Sequence, residues 1–156
     1  MEVVEIGCPA EHGTIADHEM DLPTAVVNRK RLFMGQRFVR HQAETASWAK
    51  WRIDGFECRD SGIGAATSGL AGVRVVRPQL KPTAGPCSHV AEFVFFFVLK
   101  GSVKLELTGR GIEQFNRGDS MVLPSNFSYT LVESTQDLEL LEVTLPDIVE
   151  MHSPGA

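Results

Sequence analysis

Short runs of alternating apolar and polar residues dominate the chain from about residue 73 to residue 145. Turn-forming residues, mostly glycine, proline, serine and aspartate, separate these runs. Strands this short, spaced about 8–12 residues apart, indicate an antiparallel sandwich or barrel. No segment in this region has a helical period, so the core is predicted to be all-β. The predicted strands cover residues 73–79, 91–99, 102–108, 111–116, 119–124, 127–133 and 137–145.

Alternation within these strands also predicts which residues form the core. One set of alternate positions is apolar in most strands, as expected when one face of a sheet is covered. The predicted core residues are Phe96, Val98, Met121, Leu123, Leu141 and Val143. No chemistry is assigned to these six side chains.

The strand predicted over 91–99 is unusual because both of its faces are apolar. Its alternate residues are Phe93, Phe95 and Phe97 on one face and Val94, Phe96 and Val98 on the other. A small barrel covers only the inward face, so the outward phenylalanines need another cover. Either the first 55 residues or a second copy of the chain can supply it, and we expect a homodimer through this outer sheet face and the N-terminal segment.

The first 55 residues differ in character from the rest and are predicted to form an irregular extension, which packs on the barrel or on a partner subunit. One or two helical turns are predicted over 43–51, with Trp48 and Trp51 on one side. A basic stretch over 29–40 is interpreted as a solvated arm rather than a nucleic-acid patch. The barrel itself is assigned to residues 56–148, and residues 149–156 to a C-terminal tail.

Composition and charge narrow the class of protein. A chain of 156 residues fits one domain, and its net charge of −5 predicts no nucleic-acid partner. The longest apolar run is too short for a membrane helix, and we see no secretory signal. The three cysteines, Cys8, Cys58 and Cys87, are an odd number without C-x-x-C spacing. No disulfide framework is expected, and a cytoplasmic location is the default prediction.

Residues 85–145 resemble the cupin superfamily. The two cupin motifs are matched by PCSHVAEFVFFFVLKGSVKLEL and by RGDSMVLPSNFSYTLVE. Gly101 stands at the glycine that ends the first motif, and Gly118 and Pro124 match the glycine and proline of the second. Residues 56–85 are similar more loosely. The resemblance implies a jelly-roll barrel, also described as a double-stranded β-helix.

The matched positions have physical reasons for their residue types. Gly101 and Gly118 fall at turns, where a residue without Cβ takes a positive φ at no steric cost. Pro124 ends a strand, where no ladder donor is needed. Asn126 takes the family's usual glycine position, and asparagine also tolerates the left-handed region.

The positions that bind metal in cupins are occupied mostly by poor ligands. The resemblance places Cys87 and His89 at the two histidine positions, Val94 at the glutamate and Tyr129 at the second-motif histidine. Valine has no donor atom, and a phenol with pKa near 10 is a weak ligand. We therefore prefer no metal cofactor. The alternative is a divalent transition metal (Zn, Fe, Ni, Mn or Cu) held by Cys87, His89 and Glu92.

Three functional hypotheses follow from the resemblance. The first is a barrel cavity that binds a small, apolar or aromatic molecule, lined by Cys87, His89, Val94, Phe96 and Tyr129. The second is an enzyme that uses His89 as general acid or base and Tyr129 to polarise the substrate. It would be a metal-dependent oxygenase or isomerase with unusual ligands, or a metal-free isomerase, cyclase or lyase. The third is a structural dimer with a non-functional pocket.

Overall fold

A computed structural model describes residues 3–5, 7, 28, 30–80 and 85–152. The chain divides into two units, residues 1–31 and 32–156. Most of the first unit lies outside the described residues, and with it most of the predicted N-terminal extension. The second unit contains the predicted barrel and is described here by itself.

The described part of the second unit is built almost entirely from strands. It contains one turn of 3-10 helix, Ala43–Thr45, and one short α-helix, α1 (Ile63–Ala66). Neither is long and apolar enough to cross a membrane. The strands in chain order are β1 (Leu32–Phe33), β2 (Gln36–Arg37), β3 (Ala49–Lys50), β4 (Phe56–Asp60), β5 (Gly72–Pro78), β6 (Ser88–His89), β7 (Phe93–Lys100), β8 (Ser102–Leu107), β9 (Gly111–Asn116), β10 (Ser120–Leu123), β11 (Tyr129–Ser134), β12 (Glu139–Leu145) and β13 (Met151–His152).

The strands form a jelly-roll barrel, and every strand pairing in the described residues is antiparallel. A six-stranded sheet has the order β10-β7-β12-β5-β4-β3, and a three-stranded sheet has the order β11-β8-β9. Two-stranded ladders join β1 to β2 and β13 to β6. The inward side chains of both larger sheets belong to one hydrophobic core. The predicted all-β fold class is therefore confirmed.

The prediction of helical turns over 43–51 is wrong beyond residue 45. β3 pairs with β4 in the six-stranded sheet, and the backbone N–H of Trp51 donates to the carbonyl of Phe56 at 3.1 Å. The chain is extended here because it completes the sheet and places the Trp51 and Ile53 side chains in the core, each 3% exposed. The barrel thus includes residues 49–55, which sequence analysis assigned to the extension. At its other end β13, from the predicted tail, pairs with β6.

The turns that the cupin motifs predict have the expected backbone geometry. Gly101 has φ +71°, and a Cβ there would lie 2.9 Å from the Cα of Leu138. Asn126 has φ +62° and Gly118 has φ +92°. Gly101 is therefore required both by its conformation and by the close approach of the neighbouring chain. β10 ends at Leu123, directly before Pro124.

β7 has two apolar faces, as its sequence predicts. Its inward residues, Val94, Phe96 and Val98, are 0% exposed, whereas Phe93, Phe95 and Phe97 are half-buried on the outer face. The neighbouring β12 corrects the predicted core in part. Leu141 and Val143 pair with Phe97 and Phe95 and therefore lie on the outer face, where Leu141 is half-buried and Val143 is buried as predicted, at 2% exposure. The inward residues of β12 are Leu140, Glu142 and Thr144, all 0% exposed.

Candidate functional site

The five side chains predicted to line the barrel interior are all buried. β6, β7 and β11 bring them close together. Cys87 and Tyr129 exchange two backbone hydrogen bonds of 2.9 Å, and Val94 pairs with Leu123 on β10. The exposed fractions are 9% for Cys87, 0% for His89, 0% for Val94, 0% for Phe96 and 1% for Tyr129.

The ring of His89 has one nitrogen engaged and one without a partner. Nε2 lies 3.0 Å from the carbonyl oxygen of Leu123. A carbonyl can only accept, so Nε2 carries the proton and Nδ1 of the neutral ring is an acceptor. Nδ1 is buried without a hydrogen-bond partner among the described residues. Burial lowers the pKa of His89 below 6.5, and the Arg52 charge lowers it further, against opposing contributions from the Leu123 and Ala91 backbone and from Glu142. His89 is therefore neutral at pH 7.

The hydroxyl of Tyr129, the single tyrosine of the chain, is also buried. Burial raises its pKa well above 10, and Cys87 and Glu142 contribute in the same direction. Arg52 lowers that pKa in part, both through its charge and through a side-chain hydrogen-bonding contact. This contact falls short of hydrogen-bond geometry, so the hydroxyl has no well-formed hydrogen bond within the described part of the chain. A buried, unsatisfied polar group of this kind costs about 1–3 kcal/mol.

Cys87 is a protonated thiol whose weak contacts are to the backbone and side chain of Tyr129. Its Sγ donates to the carbonyl oxygen of Tyr129 at 3.5 Å. Burial raises its pKa, and this outweighs the lowering by Tyr129 and Arg52. A thiol held in this form is neither a nucleophile nor a ready metal ligand.

The residues at the cupin metal positions do not fit a divalent metal ion. Val94 offers no donor atom, Nε2 of His89 is committed to a carbonyl, and the protons of Cys87 and Tyr129 are both held more tightly than usual. The alternative third ligand, Glu92, is exposed, whereas Cys87 and His89 are buried. Throughout the described residues, no group of three or more His, Cys, Asp or Glu side chains is placed to hold a metal ion.

Sequence analysis missed a buried ion pair beside these residues. Glu142 points inward from β12, and its Oε1 forms a salt bridge with Nη1 of Arg52. Its Oε2 accepts a hydrogen bond of 3.1 Å from the indole Nε1 of Trp51. The guanidinium of Arg52 also lies over the Trp51 ring, 4.6 Å from the centroid. A charged residue within a strand pattern usually faces solvent, so nothing in the sequence identified Glu142 as interior.

A second arginine, Arg74, supports the carboxylate of Glu142 from the other side. Its Nη1 lies 3.9 Å from Glu142 Oε2, while its remaining contacts are to Asp60 Oδ2 at 3.3 Å and to the carboxylate and carbonyl of Asp147. Arg74 is therefore fully engaged. Arg52 is not, because its Nε and Nη2 are buried without a hydrogen-bond partner among the described residues.

A small cleft leads from the surface to these two arginines. Its volume is about 210 Å³, below the roughly 300–1,000 Å³ typical of sites for drug-sized ligands. Trp51 and Cys58 form part of its wall. The complete lining is Lys50, Trp51, Arg52, Cys58, Arg74, Asp147, Ile148 and Val149.

Comparison with known proteins establishes the fold. No protein-family model and no curated protein matches the chain. Among solved structures, it is similar to the polyketide cyclase RemF from Streptomyces resistomycificus (TM-score 0.61, 16% identity, 76% of this chain and 87% of that chain). It is also similar to a sugar phosphate isomerase of the cupin superfamily from Silicibacter pomeroyi (TM-score 0.59, 14% identity, 75% and 82%). A third is hydroxypropylphosphonic acid epoxidase from S. wedmorenis (TM-score 0.53, 17% identity, 73% and 61%).

The protein has the cupin fold. The strand order, the two motif turns and these structural neighbours agree on this point. The neighbours include a cyclase, an isomerase and an epoxidase, so the fold by itself does not specify a reaction. Function has to be argued from the interior side chains of this chain.

Proposed function

We propose that this cupin-fold protein binds a small organic molecule in the barrel interior, without a metal at the usual cupin positions. One observation carries the proposal: polar atoms of Arg52, His89 and Tyr129 are buried without hydrogen-bond partners among the described residues, and the charge of Arg52 lowers the pKa of both other groups. Folded proteins satisfy nearly all of their buried polar groups, so unsatisfied groups in one place call for an explanation. A ligand that supplies the missing partners provides it.

The unsatisfied atoms define what such a ligand carries. Arg52 and Tyr129 offer donors, and Nδ1 of His89 offers an acceptor. The neighbouring interior side chains include the apolar Val94 and Phe96 and the carboxylate of Glu142. The ligand is therefore a molecule with an apolar or aromatic body and a few polar groups, of a size that suits the small cleft.

Replacing Tyr129 by phenylalanine tests this proposal, since it removes only the unsatisfied hydroxyl. We expect Tyr129→Phe to leave the ligand-free protein as stable as before, or more stable by about 1 kcal/mol. We expect the same change to weaken every ligand that raises the Tm of the unaltered protein in a thermal-shift screen of small aromatic compounds.

The neighbouring Thr130 gives a matched control, because it points to the opposite face of the same strand. Thr130→Val should not affect ligand binding. If Tyr129→Phe destabilises the ligand-free protein by several kcal/mol, the hydroxyl has a structural partner and the proposal loses its basis. A screen in which folded protein responds to no compound also counts against it.

A metal-free enzyme is the second candidate, and the protonation state of His89 favours it. A neutral imidazole whose buried Nδ1 has no hydrogen-bond partner among the described residues is suited to accept a proton from a bound substrate, while Tyr129 donates a hydrogen bond to the developing charge. In deuterated water, such a base would exchange a carbon-bound hydrogen of a bound ligand, which NMR detects. Loss of exchange but not of binding in His89→Gln would support catalysis. Binding without exchange in the unaltered protein would argue for a binding protein.

We also propose a homodimer through the outer face of the six-stranded sheet. Phe93 and Phe95 stack there with ring centroids 6.1 Å apart, and Val122 on the edge strand β10 is 53% exposed. An exposed apolar surface of this kind favours self-association. Phe95→Glu should convert the dimer to a monomer in light scattering, whereas Val132→Glu, on the other sheet, should not. A monomeric unaltered protein would refute the proposal.

A further inference from the structure

The guanidinium of Arg52 is held rigidly but is only partly used. Its Nη1 pairs with Glu142, and its plane lies over the Trp51 ring. Its Nε and Nη2 are buried and have no hydrogen-bond partner in the described part of the chain. The arginine side chain as a whole is 15% exposed. An ion pair that uses one nitrogen leaves the rest of the guanidinium available.

The two unused nitrogens form one edge of the guanidinium plane. Their N–H bonds point in nearly the same direction, and this edge is the one that binds a carboxylate through two parallel hydrogen bonds. Because Glu142 and Trp51 already fix the orientation of Arg52, little conformational freedom remains to be lost when a ligand binds.

Arg52 itself borders both the cleft and the barrel interior. Arg52 lines the 210 Å³ cleft, and its guanidinium is also close enough to the Tyr129 hydroxyl to lower the pKa of that group. A molecule in the cleft therefore contacts Arg52. The hydroxyl of Tyr129, which has no hydrogen-bond partner among the described residues, is a second donor beside Arg52.

The surrounding charges limit the charge of the ligand. Glu142 already neutralises one positive charge, and Arg74 is committed to Asp60 and Asp147. Arg52 and Arg74 with their partners Glu142, Asp60 and Asp147 carry a net charge of −1, so a monoanion in bidentate contact with Arg52 would bring this to −2. A dianion such as a phosphate monoester would bring it to −3, so the smaller anionic charge is favoured.

We propose that the free edge of Arg52 binds the carboxylate of a small monocarboxylic acid, with the Tyr129 hydroxyl as an additional donor. This rests on the proposed function and specifies its ligand class. In this barrel a guanidinium supplies the positive charge that a metal ion supplies in metal-binding cupins. The residues at the metal positions, which do not fit a metal, are compatible with this arrangement.

Benzoate, benzamide and phenyl phosphate test the proposal, since they share a ring and differ in the charged group. Trp48→Phe leaves Trp51 as the single tryptophan, so fluorescence reports directly on the residue beneath Arg52. In this background we expect benzoate to bind, and benzamide and phenyl phosphate to bind at least about tenfold more weakly, a difference of about 1.4 kcal/mol.

Arg52→Lys keeps the positive charge but removes the pair of parallel N–H donors, so benzoate affinity should also fall at least about tenfold. Arg59→Lys is the matched control, because Arg59 is similarly buried, with a side chain 16% exposed, and also has an unpartnered Nε. If Arg52→Lys does not fold, the charge-neutral pair Arg52→Gln with Glu142→Gln gives the same measurement.

Four results would overturn the inference. Equal binding of benzoate and benzamide, or benzoate binding that is insensitive to Arg52→Lys, would refute the carboxylate contact and leave the proposed function standing. Tighter binding of phenyl phosphate than of benzoate would refute the expected preference for a monoanion over a dianion. No binding of any of the three, or of neutral aromatic compounds, by folded protein at millimolar concentration would refute both proposals.

Discussion

The ion pair between Arg52 and Glu142 should be the most stability-sensitive polar contact in the barrel. Glu142 is 0% exposed, and its carboxylate contacts Arg52, Trp51 and Arg74. Glu142→Gln keeps the shape and can still accept from Trp51, but it leaves the guanidinium of Arg52 without its counter-charge. Removing one partner of a buried pair costs about 3–5 kcal/mol.

Arg52→Met should lower the free energy of unfolding by less than Glu142→Gln does. The double variant should lower it by less than the sum of the two single changes. In Arg52→Met, the carboxylate of Glu142 keeps the hydrogen bond from Trp51 and the charge of Arg74 at 3.9 Å, so we expect the lower end of that range, about 3 kcal/mol. In the double variant Arg52→Met with Glu142→Gln, no isolated charge is created at this position. The coupling energy of the cycle should therefore be about 2–4 kcal/mol.

Urea denaturation, followed by tryptophan fluorescence and by circular dichroism, measures these changes. A matched surface pair is Lys104 with Glu133, whose charged atoms lie 2.7 Å apart and whose side chains are 39% and 65% exposed. Glu133→Gln should cost about 0–1 kcal/mol. Two results would contradict the importance of the buried ion pair. One is a loss of unfolding free energy in Glu142→Gln no larger than that in Glu133→Gln. The other is additive effects of Arg52→Met and Glu142→Gln on the free energy of unfolding.

Three further predictions concern other parts of the site. Because the pKa of His89 is lowered from 6.5, its contribution to the free energy of unfolding is present above pH 6.5 and is lost as the pH falls below it. Urea denaturation from pH 7 to 5 measures this loss, and His89→Gln should reduce its slope by up to about 1.4 kcal/mol per pH unit. Tyr129 is the single tyrosine, so phenolate absorbance in an alkaline titration reports on this residue alone. Its hydroxyl should ionise well above pH 10 in native protein and near pH 10 in urea-unfolded protein. Identical titration curves for the two states would contradict the burial of this hydroxyl. A Cβ at Gly64 would collide with the carboxylate of Asp147, which forms an ion pair with Arg74. Gly64→Ala should therefore lower the free energy of unfolding by about 1–3 kcal/mol. Gly85→Ala is the control and should have little effect, because no atom of the described residues, apart from its chain neighbours, lies within 4 Å of a Cβ there.

The fold could be predicted because it depends on local patterns. Alternating apolar residues and turn residues locate the strands, and Gly101 and Asn126 adopt the positive φ that their motif positions require. The segment at 46–51 could not be predicted in this way. Its conformation is decided by pairing with β4 and by burial of Trp51 against Phe56 and Phe96, which are distant contacts.

The candidate site could be predicted only in part. The motif alignment predicted that Cys87, His89 and Tyr129 face the interior, and all three are buried there because the strands that carry them fix their positions. That they bind a ligand stays a prediction. It did not identify Arg52 or Glu142. In a sequence, a glutamate between Leu141 and Val143 is assigned to the wet face of a strand, and only the register of β12 against β7 shows that it points inward.

That register also shows what has changed relative to a metal-binding cupin. The position where the cupin motif has its glutamate is Val94, which pairs with Thr144 on β12. Glu142 lies two residues along β12 on the same inward face, opposite Phe96. The barrel thus still contains a buried carboxylate, but on the adjacent strand, and its counter-charge is a guanidinium from residue 52. A guanidinium has donors on more than one edge, so, like a metal ion, it can contact the protein and a ligand at once. Under the proposed function, this contact would take the place of the metal ligands that positions 87, 94 and 129 lack.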